Sequence, residues 1–152
     1  MIVENHVIAH RNVASKLYRF VPEEIDLAMT DFDTILREHG YHTNGTLFFT
    51  IMSDPTAEIM TAELFLAIEE DDFDVDPEEE IQFHSYFFVD QMLMTRITAD
   101  FNEQSQVQYW ALIDYINKHD MSQRTPIFVV YKRSNAGEPY VEMSVGVGVE
   151  VA

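Results

Sequence analysis

Asp72, Asp74 and Asp76 are spaced like the first ligands of a calcium loop, but the pattern ends there. Pro77 stands where such a loop needs glycine, and Phe83 where it needs a bidentate glutamate, so no calcium site is expected. The six histidines, His6, His10, His39, His42, His84 and His119, form no H-E-x-x-H or similar helical pair. His39 and His42 flank Gly40 in a loop without a third ligand, which reads as surface histidine. Cysteine is absent, which removes thiolate nucleophiles, thiolate metal sites and disulfides together. Neither a nucleophile elbow nor a glycine-rich phosphate loop is present. Acidic residues are abundant enough for a two-carboxylate hydrolase, yet nothing in their pattern supports one. The sequence therefore predicts a protein that is not an enzyme and has no metal or cofactor.

Charge narrows the partners. The formal net charge is −18 over 152 residues, and such a field repels phosphate backbones, so direct nucleic-acid binding is not expected. Nine of the twelve residues from Glu69 to Glu80 are acidic and supply half of that net charge. This run reads as a solvated linker. No apolar stretch is long enough for a membrane span. Met1 to His6 lack the basic-then-apolar pattern of a secretory signal, and the expected location is cytoplasmic.

The elements that must position any site follow from periodicity. Residues 2–21 are rich in β-formers and predict one long or bent strand, or two short ones. Pro22 suits a first helical position, and Ile25, Ala28, Met29, Phe32, Ile35 and Leu36 follow at helical spacing until Gly40. Thr46–Met52 and roughly Glu58–Ile68 predict a hairpin around Ser53-Asp54-Pro55-Thr56. After the acidic run the order recurs. Ile81–Ala99 is β-rich, and a helix begins near Asn102 and Glu103 with Val107, Trp110, Ala111, Ile113 and Ile116 as its apolar side. Trp110 is expected in the core. Pro126 then breaks the chain before a strand at Ile127–Tyr131, and Tyr140–Val149 is the last strand. Its alternation puts Val141, Met143, Val145, Val147 and Val149 on one face and Tyr140, Glu142, Ser144, Gly146 and Gly148 on the other. Two glycines leave that second face bare, open to a ligand or another backbone.

Phe20 and Phe101 precede the two helices, 81 residues apart; Leu47 and Ile127, like Glu58 and Glu138, differ by 80. One offset in three successive elements predicts an internal duplication, with pseudo-repeats over about 1–68 and 81–152 joined by the acidic linker 69–80 in a single domain.

In this element order, the chain resembles the effector-binding domains of the gyrase-inhibitor-like superfamily, also found in bacterial multidrug-responsive transcription activators. The local fragments that carry the resemblance are Val13-Ala14, the amphipathic helix ending at Gly40, Leu47-Phe48-Phe49-Thr50-Ile51 with Ser53-Asp54-Pro55, Glu63, and Glu138-Pro139-Tyr140-Val141-Glu142. Departures are Ala99-Asp100-Phe101-Asn102 before the second helix, where many members have a Gly-Pro-Tyr-like turn, and Gly146-Val147-Gly148-Val149 in place of a proline-containing end.

The resemblance implies an α+β fold of two strand–helix–strand–strand repeats with pseudo-two-fold symmetry. The sheets would be antiparallel, with helices on one side and a concave central cleft. It also implies a ligand site with an acidic side chain among aromatics. Carried over, Glu142 is the first candidate for the acid and Glu63 its counterpart, with Tyr140, Phe65, Phe48 and Tyr131 as lining residues.

The function expected is a stand-alone, non-catalytic binding protein for hydrophobic small molecules, cationic ones among them. A carboxylate among apolar groups is costly until a cation meets it. The alternative is an acidic interaction module, such as an adaptor, inhibitor or immunity-like protein, that binds a basic protein partner. Monomer and homodimer both fit.

Overall fold

In the computed structural model, which describes residues 1–54 and 57–149, the β-rich N-terminal segment is one strand, β1 (Ile2–Phe20). Asn5 and Asn12 interrupt it in the left-handed conformation, at φ 59° and 56°. Asparagine enters that region more easily than most residues do. A one-turn 3-10 helix at Pro22–Glu24 leads into α1 (Ile25–Glu38), whose buried side is Ala28, Met29, Phe32 and Leu36. Beyond it Gly40 takes φ 87°, a conformation glycine adopts without steric cost.

β2 (Thr43–Ile51) and β3 (Met60–Ile68) then pair antiparallel, and β3 also pairs antiparallel with β1. Residues Pro55 and Thr56 of the expected turn lie outside the described residues. The remaining elements are β4 (Gln82–Ile97), α2 (Phe101–Lys118), β5 (Met121–Arg133) and β6 (Pro139–Val149). β6 pairs antiparallel with β4 and with β5. Among the described residues the fold is α+β, with two α-helices and six strands.

The chain divides into two compact units, Ala9–Phe88 and Met1–Ile8 with Val89–Ala152. Each long strand passes from one unit to the other. In the first unit α1 lies against the sheet face that carries Tyr18, whose ring meets Phe32 at 6.2 Å and whose hydroxyl donates to Asp31. In the second unit α2 packs on β5 and β6, and Thr95 of β4 donates to Gln108 of the helix at 2.8 Å. The Tyr115 hydroxyl of α2 also donates to Glu4 of β1.

Three expectations change. Pro126 does not break the chain before Ile127; β5 runs through it from Met121. The register against β6 shifts between Gln123 and Ile127, where the ladder can spare the N–H that proline lacks. Trp110 is not core: it is 57% exposed, because α2 buries Leu112 and Ile116 instead. The acidic run is also more than a solvated linker. Phe73 within it stacks on Tyr41 and Phe83, the Tyr41 hydroxyl accepts from the Asp74 amide, and Glu70 accepts from the His42 amide. These contacts fasten its backbone to the first unit and leave most of its carboxylates facing water.

No helix among the described residues is long and apolar enough to cross a membrane. No group of three or more His, Asp or Glu residues among them is placed to hold a metal ion.

Candidate functional site

Strand register in the first unit sets Ser15, Phe65 and Phe48 side by side across β1, β3 and β2. Directly paired residues share a sheet face. These three therefore lie on the face opposite Tyr18 and α1. The adjoining pairs on the same face are Leu17, Glu63 and Thr50.

Phe48 and Phe65 stack at 4.6 Å between centroids and 9° between planes, an attractive arrangement for aromatic rings. Phe87 meets both, at 5.6 and 5.0 Å. His10 stacks on Phe48 at 5.4 Å, and His84 lies 6.1 Å from Phe65 with its Nε2 3.3 Å from Ser15 Oγ. Phe48 and Phe65 are buried, whereas His10, His84 and Phe87 are half-exposed. Glu63 is also half-exposed and makes no ion pair among the described residues.

The second unit repeats this register. Arg96, Glu142 and Val130 lie side by side across β4, β6 and β5, and Met94, Ser144 and Phe128 form the next set. The chain offsets from Leu17, Glu63 and Thr50 to Arg96, Glu142 and Val130 are 79, 79 and 80, so Glu63 and Glu142 occupy equivalent places.

Their surroundings differ. Glu142 is 3% exposed, and its two oxygens face Arg96 Nη2 at 3.2 Å and Lys132 Nζ at 3.1 Å. The Lys132 contact has ion-pair distance but poor alignment, so Oε1 gains charge compensation without a well-formed hydrogen bond. Tyr140 lies under the guanidinium of Arg96, 5.1 Å from ring centroid to carbon. Burial alone would raise the Glu142 pKa, but Lys132, Arg96 and His6 outweigh it and hold the carboxyl below its ordinary value.

Glu142 is thus neither a solvated strand residue nor an uncompensated acid awaiting a cationic ligand. Two further expectations change with it. Tyr131 pairs with Val141, which places it on the helix-bearing face, away from Glu142, and 38% exposed. The bare face of β6 is already covered at its two glycines by side chains of β5, Thr125 over Gly146 and Arg124 over Gly148. A Cβ on Gly146 would lie 2.7 Å from Thr125 Cγ2, and one on Gly148 would lie 1.8 Å from Arg124 Nε. The Gly146 amide donates to Thr125 Oγ1 at 2.8 Å.

His6 belongs to the same cluster. Desolvation depresses its pKa; Glu142 pulls it upward, while Lys132 and Arg96 push it further down. A group whose folded pKa lies below its unfolded value lends stability above the unfolded pKa and withdraws it as pH falls through the folded one. His6 and Glu142 both have this sign, His6 acting below about pH 6.5 and Glu142 below the ordinary carboxylate range. The His6 contribution to stability in urea should therefore fall between pH 7 and pH 5, against the opposite contribution of His42, whose pKa the Glu70 hydrogen bond raises, and His6→Gln should remove that fall. An unchanged slope in the variant would remove His6 from the account.

Of the residues that sequence reading named, Phe48, Phe65 and Glu63 lie together on this face, beside His10, His84 and Phe87, which it did not name. Strict alternation would put His10 and Ser15 on opposite faces; the left-handed Asn12 between them interrupts that parity. It also missed Arg96 and Lys132, whose only signal was that they are two of nine basic residues in a strongly acidic chain.

Solved structures share this α+β fold. The crystal structure of the EcmrR C-terminal domain matches with a TM-score of 0.63 at 12% identity, over 96% of this chain and 98% of that one. The cryo-EM structure of an EcmrR–DNA complex matches with a TM-score of 0.66 at 13% identity, over 96% of this chain and 58% of that one. At such identities the likeness is one of fold. The chain belongs to a family described as a domain of unknown function, DUF5085, which matches residues 9–150. A comparison with curated proteins gives no match.

Proposed function

We propose that this protein binds a hydrophobic, cationic small molecule on the aromatic face of its first unit and does not transform it. The observation that carries this reading is the ring cluster of Phe48, Phe65, Phe87, His10 and His84 beside Glu63. Glu63 takes the role that the sequence assigned first to Glu142. The charge of Glu142 is already met by Arg96 and Lys132, while no cation pairs with Glu63 among the described residues. Ring faces add cation–π attraction of about 0.5 to 2 kcal/mol each, and an unpaired carboxylate supplies the counter-charge. The fold shared with the EcmrR C-terminal domain supports an effector-binding role over a catalytic one.

The test is calorimetric titration with tetraphenylphosphonium, a hydrophobic cation. Saturable binding is expected, weakened about tenfold in Glu63→Gln, which corresponds to roughly 1.4 kcal/mol. Phe87→Leu should weaken it further while Glu142→Gln leaves it unchanged. Absence of saturable binding by the native protein would overturn the reading, and full affinity in Glu63→Gln would remove the acid from it.

A further inference from the structure

We infer that the heads of Arg96 and Lys132, held over the sheet of the second unit by buried Glu142, form a binding site for the carboxylate group of a small organic anion. Two of the chain's nine basic side chains converge here on one acid, leaving a local charge of about +1 in a chain of net −18. Neither cation has another ion-pair partner among the described residues.

Both heads also remain available to solvent. Arg96 is 56% and Lys132 45% exposed at the side chain, whereas Glu142 beneath them is almost fully buried. Glu142 takes one guanidinium nitrogen of Arg96 and one ammonium contact of Lys132, so most of their N–H donors are uncommitted. Tyr140 under the guanidinium and Glu142 beside it fix the Arg96 head in advance, which lowers the ordering cost of binding.

The charge selects the ligand class. A monoanionic carboxylate neutralises the local excess and matches the planar guanidinium fork. A phosphate dianion would set surplus negative charge against Glu142. The equivalent set in the first unit, Leu17, Glu63 and Thr50, has no cation, so this site does not depend on the cation-binding reading above.

Benzoate titration at constant ionic strength, followed by the Arg96 Nε–Hε resonance, tests the inference. The native protein should show saturable shifts, and Lys132→Gln should weaken binding about tenfold or more. Glu142→Gln distinguishes the sign: it removes the competing acid and should tighten benzoate binding severalfold, whereas a cation site would lose affinity. Non-saturable shifts, full affinity in Lys132→Gln, or weaker binding in Glu142→Gln would each overturn the site. Inorganic phosphate binding as tightly as benzoate would overturn its assignment to carboxylates.

Discussion

Replacing Arg96 and Lys132 together by methionine should destabilise the protein by about 3 kcal/mol at neutral pH, with most of the loss recovered when Glu142→Gln is added. Either cation alone is half-exposed, and such pairs contribute little individually because water screens them. Glu142 is different: it is buried, and its ion-pair partners among the described residues are these two. Stripping a buried charge of compensation costs roughly 3 to 5 kcal/mol, and the exposure of the two heads puts this case at the lower end.

The pH dependence gives a second handle. With the cations gone, burial becomes the dominant influence and raises the folded pKa of Glu142 above its unfolded value. The penalty then grows as pH rises through the unfolded pKa and vanishes below it, where the carboxyl is protonated in both states. Urea unfolding at pH 7.5 and pH 4, on the double and triple variants, measures this. A double variant as stable as the native protein at pH 7.5 would show that the two cations do not hold the acid.

The second large effect belongs to the first unit. Phe48 is fully buried, and its ring contacts Phe65, Phe87 and His10. Phe48→Ala should cost about 3 to 5 kcal/mol through lost burial and the cavity left behind. That corresponds to a fall in melting temperature on the order of 10 °C for a chain of this size. Phe48→Leu keeps most of the volume and loses the stacking, which such pairs value at about 0.5 to 1.5 kcal/mol. Scanning calorimetry on both variants separates the two contributions. Equal losses would assign the effect to ring stacking, and a loss below about 1 kcal/mol for alanine would contradict the burial. Both variants should also weaken tetraphenylphosphonium binding, because Phe48 supports the Phe65 and Phe87 rings.

Local physics made much of this legible. Ala28, Met29, Phe32 and Leu36 recur at helical spacing and form the buried side of α1. The alternation of β6 separates Val141 and Met143 from Glu142 and Ser144, and register keeps them on opposite faces. The offset of about 80 between halves is present residue by residue in the paired sets around Glu63 and Glu142. α2 was harder to read. Val107, Trp110, Ala111 and Ile113 look like a core stripe, but a helix buries only the residues its sheet covers, here Leu112 and Ile116.

By itself, the sequence determined which residues alternate, which recur at helical spacing, and that one strand–helix–strand–strand unit occurs twice, because these follow from neighbours a few positions apart. Only the tertiary structure decided that Glu142 is neutralised and Glu63 is not. Arg96 reaches Glu142 across 46 residues of chain, through the pairing of β4 with β6, and Leu17 stands in the equivalent place beside Glu63. A charge far along the chain becomes a neighbour only through strand register, and no local pattern encodes that meeting.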